Sequence, residues 1–179
     1  MDSEIACIHV GEIKEGRERC RFLAMGDAEK EVKILSLESA NCFYKFHFLI
    51  LPTDVSSVHL IEMKNDYSQQ NAPQLYLYVG LCNGMLLKTS VDDVSGTLSD
   101  TRTRFLGNKK IELFKTTIND NPALIALSSR MWLCYNYMEK YLTTPVAFEP
   151  FEFTSSFSSE QYKEAVVGIN SNKLSIIAP

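Results

Sequence analysis

A two-strand unit recurs four times along the chain, and it limits the possible folds more than any other feature. Each copy is an apolar run, a polar turn and a second apolar run. The copies are Phe22-Leu23-Ala24-Met25-Gly26 with Val32-Lys33-Ile34-Leu35-Ser36-Leu37, and Leu77-Tyr78-Val79-Gly80 with Met85-Leu86-Leu87-Lys88-Thr89. They continue with Leu124-Ile125-Ala126-Leu127-Ser128 and Trp132-Leu133-Cys134-Tyr135-Asn136, and end with Ala165-Val166-Val167-Gly168 and Leu174-Ser175-Ile176-Ile177. Their starts fall about every 40 to 55 residues, the period of propeller blades. The first strand of each hairpin is apolar at successive positions, so both of its faces need cover, and neighbouring blades supply it. It is therefore expected to be an inner strand. Ala24, Gly26, Gly80, Ala126 and Gly168 suit the crowding near a propeller axis, and Cys82-Asn83-Gly84 offers the positive φ of a tight hairpin.

Short β-rich segments fill the rest of the chain, closed by Gly, Asn, Asp or Ser. Strands are expected at 5–10, 21–25, 32–37, 44–51, 58–63, 75–81, 85–91, 103–106, 111–116, 123–127, 132–137, 146–149, 165–169 and 173–177. Asn65 to Gln74 reads as an exposed loop, Asp92 to Gly96 and Asn119-Asp120-Asn121-Pro122 as turns, and Phe157 to Lys163 as one short helical turn. The fold class is all-β: a partial WD-repeat-like β-propeller of about four consecutive blades, each a four-stranded antiparallel sheet, occupying residues 1–179. Four blades fall short of most rings, so the chain is expected to be a fragment of a larger multi-propeller protein, or an open array needing a partner surface.

The chemistry of enzymes is hard to place on this frame. A net charge of -4 leaves no general excess of cations for phosphate, so contact with RNA is expected only indirectly. Five widely spaced cysteines, Cys7, Cys20, Cys42, Cys82 and Cys134, match neither a metal motif nor a disulfide framework and suit a reducing compartment. His9, His47 and His59 stand singly on strand patterns, with no pair at metal spacing. The acid pairs Asp92-Asp93 and Glu149 with Glu152 sit in turn-like sequence, no serine lies in a nucleophile elbow, and no glycine-rich phosphate loop occurs. No catalytic residue, cofactor, metal, membrane contact or small-molecule substrate is therefore expected. The interaction candidates are two basic pairs, Arg102 with Arg104 and Lys109 with Lys110. Arg102 and Arg104, two apart on a strand, share a face, where ion pairing within the sheet is the plainer role and contact with RNA or protein the sharper one. The alternating Tyr44, Phe46 and Phe48 read as sheet packing, and Trp132 as the filler of a gap between blades.

Several runs carry a family likeness: Val79-Gly80-Leu81 with Asn83-Gly84, the stretch Ser95-Gly96-Thr97-Leu98-Ser99-Asp100-Thr101-Arg102-Thr103-Arg104-Phe105-Leu106-Gly107, Ser128-Ser129-Arg130 with Trp132-Leu133, and Thr144-Pro145. On these residues the chain resembles the large triple-propeller subunit of the splicing factor 3b complex. That superfamily also holds the large subunit of the UV-damaged-DNA-binding complex and the A subunit of the cleavage and polyadenylation specificity factor. Cys42 to Gln74 departs from the family pattern and is shorter. The resemblance implies a place late in the second of three propellers and a nuclear, non-catalytic scaffold role in pre-mRNA splicing, within U2-particle branch-site recognition. The implied partners are the HEAT-repeat subunit and the small subunits of the same complex. The competing implication is an adaptor of cullin-type ubiquitin ligases, or a part of the cleavage and polyadenylation machinery.

Overall fold

The computed structural model describes residues 3–14, 16–63, 73–137 and 140–178. Fifteen strands and no helix occur among the described residues. Strands β1 (Ile5–Val10), β2 (Phe22–Asp27), β3 (Glu31–Ser36) and β4 (Lys45–Ile50) form the first sheet in the order β1-β2-β3-β4. Strands β5 (Val55–Met63), β6 (Gln74–Leu81), β7 (Met85–Val91) and β8 (Leu98–Phe105) form the second, and β9 (Glu112–Ile118), β10 (Asn121–Leu127), β11 (Met131–Tyr137) and β12 (Lys140–Pro145) the third. Strands β13 (Phe153–Phe157), β14 (Ala165–Asn170) and β15 (Lys173–Ile177) complete a fourth sheet of three strands rather than four. All pairs are antiparallel between consecutive strands, the meander of propeller blades.

Alternation along each strand explains the stacking. In β6, Leu75, Leu77, Val79 and Leu81 join a cluster with Phe22, Ala24, Val32 and Ile34 of blade one. The intervening Tyr78 turns the other way and packs with Leu113, Leu124, Ala126 and Cys134 of blade three. Strand β10 repeats the arrangement, with Leu124 and Ala126 facing blade two while Ile125 and Leu127 meet Phe151 and Val166 of blade four. Each fully buried Leu or Ile here contributes roughly 1.5–3 kcal/mol, so the interfaces between blades are the core.

The recurrent hairpins are β2-β3, β6-β7, β10-β11 and β14-β15, but their first strands are second in the three four-stranded sheets, not innermost. The first strands meet across blades, β1 with β5, β5 with β9, and β9 with β13, and β5 is also met by β2 and β10. The continuous apolar character of β2, β6 and β10 comes from cover on both faces and not from nearness to an axis.

Other expectations shift for identifiable reasons. The segment 146–149 is not a strand; the partner of β11 is β12, whose register runs from Trp132 opposite Pro145 to Tyr137 opposite Lys140. Its Thr143 and Thr144 hid it from an apolar pattern. Phe157 to Lys163 holds no helical turn, because Phe153 to Phe157 is drawn into a ladder with β14. The turn at 119–122 is confined to Asn119 and Asp120, both at positive φ (50° and 59°), as a two-residue hairpin requires. Pro122 sits inside β10 where β11 does not reach, since pairing with β11 begins at Leu124, so its missing N–H breaks no ladder. Strand β8 begins at Leu98, five residues before the expected start. Most of the expected loop at 65–74 lies outside the described residues, and Gln74 opens β6.

Candidate functional site

The blades meet chiefly through their first strands, so the rim between two blades, farther from those strands, is a natural place for a groove. Between blades two and three such a groove encloses about 410 Å³. Blade two supplies one wall through the period-2 geometry of its strands: Tyr76 from β6, Lys88 and Ser90 from β7, and Asp100, Arg102 and Arg104 from β8. Asn136 and Tyr141 of blade three face them. Register does the positioning, since Lys88 lies opposite Tyr78 on one side and Arg102 on the other.

The Lys88 ammonium is held between two aromatic faces, 3.9 Å from the Tyr76 ring centre and 3.8 Å from that of Tyr141. Burial, reinforced by the neighbouring Arg102 charge, pulls its pKa down to about 8. Arg102 pairs with Asp100 at 3.0 Å, both side chains largely exposed. The Arg104 guanidinium lies 5.9 Å from the centre of the Trp132 ring. Three cations thus share the groove with the single carboxylate of Asp100.

The second basic pair lies elsewhere. Lys109 and Lys110 project from the segment that crosses from blade two to blade three, and Lys110 is engaged by Glu112 at 2.7 Å. The crossing itself is firmly held. The Leu106 amide donates to the Gly84 carbonyl, and the Leu106 carbonyl accepts from Trp132 Nε1 at 3.0 Å. The Lys109 carbonyl accepts from Ser128 Oγ at 2.7 Å, and the Ile111 carbonyl from Ser57 Oγ at 2.6 Å. Gly84, at φ 83°, lies so close to Gly107 that any side chain there would strike the Gly107 carbonyl. The family-like run from Ser95 to Gly107 therefore forms one groove wall and the start of this crossing, and Trp132 fills the gap between blades as its sequence setting implied.

The three histidines are not all solitary. His9 of β1 and His59 of β5 stack with ring centres 3.7 Å apart, and His9 Nδ1 accepts from the Leu60 amide. Burial, then the charges of His9 and Lys115, hold His59 down to about 3; burial lowers His9 as well. The pair is a neutral staple between blades one and two, and among the described residues no third ligand completes a metal set around it. Asp27, Glu29 and Glu31 cluster as carboxylates. Asp27 is fully buried, accepts from the Glu29 and Glu31 amides, and is already paired with Lys33, whose ammonium takes the place a cation would occupy. Burial pushes the Cys7 thiol up to about 11 and raises Cys134, the reverse of what a nucleophile needs.

Of the four candidates, then, Arg102 and Arg104 line the groove and Lys109 and Lys110 do not. Sequence reasoning missed Lys88, Tyr76, Asp100 and Tyr141. The hairpin turn at Cys82-Asn83-Gly84 already implied that Tyr78 and Lys88 pair; nothing local announced that Tyr141, on the next blade, would close over them.

The family model described as the RSE1/DDB1/CPSF1 second β-propeller matches residues 1–178. Splicing factor 3B subunit 3 of Drosophila melanogaster is 39% identical over 193 residues, covering 99% of this chain and 16% of that protein. The Danio rerio protein of the same name is 38% identical over 184 residues, covering 99% and 15%. Pre-mRNA-splicing factor rse1 of Emericella nidulans is 38% identical over 180 residues, again covering 99% and 15%. The chain spans about a sixth of the length of these relatives.

Proposed function

The chain belongs to the RSE1/DDB1/CPSF1 second β-propeller family, and from that premise we propose that it is a scaffold segment of a pre-mRNA splicing factor, part of a multi-propeller subunit of a splicing factor 3B complex. The observation that carries this reading is the identity of 38–39% to splicing factor 3B subunit 3, spread over 99% of the chain. The segment works without catalysis: its rigid blades present rims and loops to other subunits, in the nucleus, within branch-site recognition. Its partners belong to the same complex, the HEAT-repeat and small subunits among them, and RNA is reached through those partners.

Two uncovered apolar faces support the fragment reading. Ile8 and Val10 on β1 with Phe48 and Ile50 on β4 are exposed in blade one, as are Phe153, Ile169, Leu174 and Ile176 in blade four. Surfaces of this kind are ordinarily buried between blades, so further blades of a longer parent would close over them. Affinity purification of the tagged parent protein from nuclear extract tests the assignment. Recovery of splicing factor 3B subunits with U2 small nuclear RNA is expected; recovery of a cullin in their place overturns it in favour of the ubiquitin-ligase adaptor.

A further inference from the structure

We propose that the groove between blades two and three binds an acidic segment of a partner protein, whose carboxylate side chains are taken by Lys88, Arg102 and Arg104. The inference rests on the scaffold reading for the kind of partner, and on the groove for its chemistry. Three cations crowd one cavity against one internal carboxylate, in a chain whose net charge is -4. The positive field is therefore local, and its natural complement is a short run of negative charge rather than a long polyanion.

The cations differ in readiness. Lys88 is fixed between Tyr76 and Tyr141, so its ammonium is already oriented and little side-chain entropy remains to be lost on binding. Arg102, mostly exposed and paired only across two residues with Asp100, can exchange that carboxylate for an incoming one without burying an unpaired charge. The Arg104 guanidinium lies over the Trp132 ring, and its planar fork suits a carboxylate. The Ser90 and Thr103 hydroxyls add neutral hydrogen-bonding groups to the same lining.

The backbone favours a peptide over RNA. Strand β8 is last in its sheet and pairs only with β7, so its outer edge can take an added strand. A strand on that edge places every second side chain on the face that Arg102 and Arg104 share. An RNA backbone would instead need cations continuing along a track. The next pair, Lys109 and Lys110, stands on the crossing segment outside the groove, and Lys110 is engaged by Glu112.

The test uses the full 179-residue chain and a fluorescein-labelled peptide of alternating Glu and Val, followed by fluorescence anisotropy. An alternating Gln and Val peptide and a labelled oligouridylate serve as comparisons. Saturable binding of the Glu peptide is expected, with the Gln peptide and the Arg102→Glu plus Arg104→Glu variant each weaker by about tenfold or more. The Lys109→Glu plus Lys110→Glu variant, with the same change in net charge, should bind within about twofold of the parent. Circular dichroism checks that both variants, altered at exposed side chains, keep the fold. Absence of binding, equal loss in the two variants, or tighter binding of oligouridylate through Arg102 and Arg104 overturns the proposal. None of these outcomes touches the association with splicing subunits, which the purification from nuclear extract reads separately.

Discussion

Gly80 of β6 and Ile111, the residue leading into β9, approach so closely that a methyl group on Gly80 would stand 2.5 Å from the Ile111 carbonyl oxygen. Ser57 Oγ donates to that same carbonyl at 2.6 Å, so the contact is backbone against backbone with a hydroxyl beside it, and nothing flexible can yield. Gly80→Ala should destabilise the chain by about 1–3 kcal/mol, read from urea unfolding midpoints. Gly11→Ala, where the new methyl would meet the Phe22 carbonyl at 3.3 Å, should cost less. Equal effects would mean that the blade interface at Gly80 is looser than described.

Trp132 holds the crossing segment through its indole N–H. Trp132→Phe keeps an aromatic ring against the cluster between blades two and three but leaves the Leu106 carbonyl without its donor. A loss of about 1–2 kcal/mol is expected in thermal or urea unfolding. No loss would show that solvent reaches the Leu106 carbonyl.

These two contacts also mark how far sequence could lead. Gly80 was legible as a small residue in a crowded place, though the crowding comes from the next blade and not from an axis, and Trp132 as a filler between blades, because hairpin periodicity and residue size are local properties. What each touches was not legible. Ile111 is thirty-one positions beyond Gly80, and Leu106 twenty-six before Trp132, distances over which periodicity carries no register. The same limit separated Arg102 and Arg104, which were found, from Lys88 and Tyr141, which complete their groove. Strand β13 escaped for another reason: Thr154, Ser155 and Ser156 carry no apolar alternation, and the ladder with β14 makes the strand.

The stacked histidines give the fold a definite response to acid. In the unfolded chain His59 takes up a proton near its ordinary value of 6.5; in the fold it does so only near about 3. Between those values the unfolded state binds more protons, so stability is complete above pH 6.5 and falls as the pH drops, by roughly 1.4 kcal/mol per unit for this one group. His9, lowered in the same direction, adds to the effect, and its protonation would also displace the Leu60 amide from Nδ1. Glu12 opposes the shift at His9, while Lys115, paired with Glu12 at 2.7 Å, strengthens it at both rings. Unfolding free energies from urea titrations should fall by roughly 2 kcal/mol between pH about 7 and about 5, and His59→Asn should flatten most of that slope. A parent chain with no slope in this window would contradict the buried pair.

Asp27 anchors the turn between β2 and β3. Burial works against its carboxylate, but the Lys33 ammonium and the Glu31 and Glu29 amides outweigh it and hold the pKa below the ordinary value. Asp27→Ala removes these bonds together with the one donated by Ser3 Oγ, and leaves Lys33 with Glu31 alone, at 3.3 Å. The expected loss is about 2–4 kcal/mol in unfolding free energy, toward the lower end of values for broken buried pairs because Glu31 remains. Loss of stability below about 0.5 kcal/mol would place the Asp27 pair among ordinary surface ion pairs.

Splicing in nuclear extract tests the functional account most directly. Extract immunodepleted of the parent protein, together with what it carries, should fail to splice a reporter pre-mRNA, and adding back the purified complex should restore the reaction. Undiminished splicing after complete depletion would contradict a scaffold role in pre-mRNA splicing, whatever the blades bind in isolation.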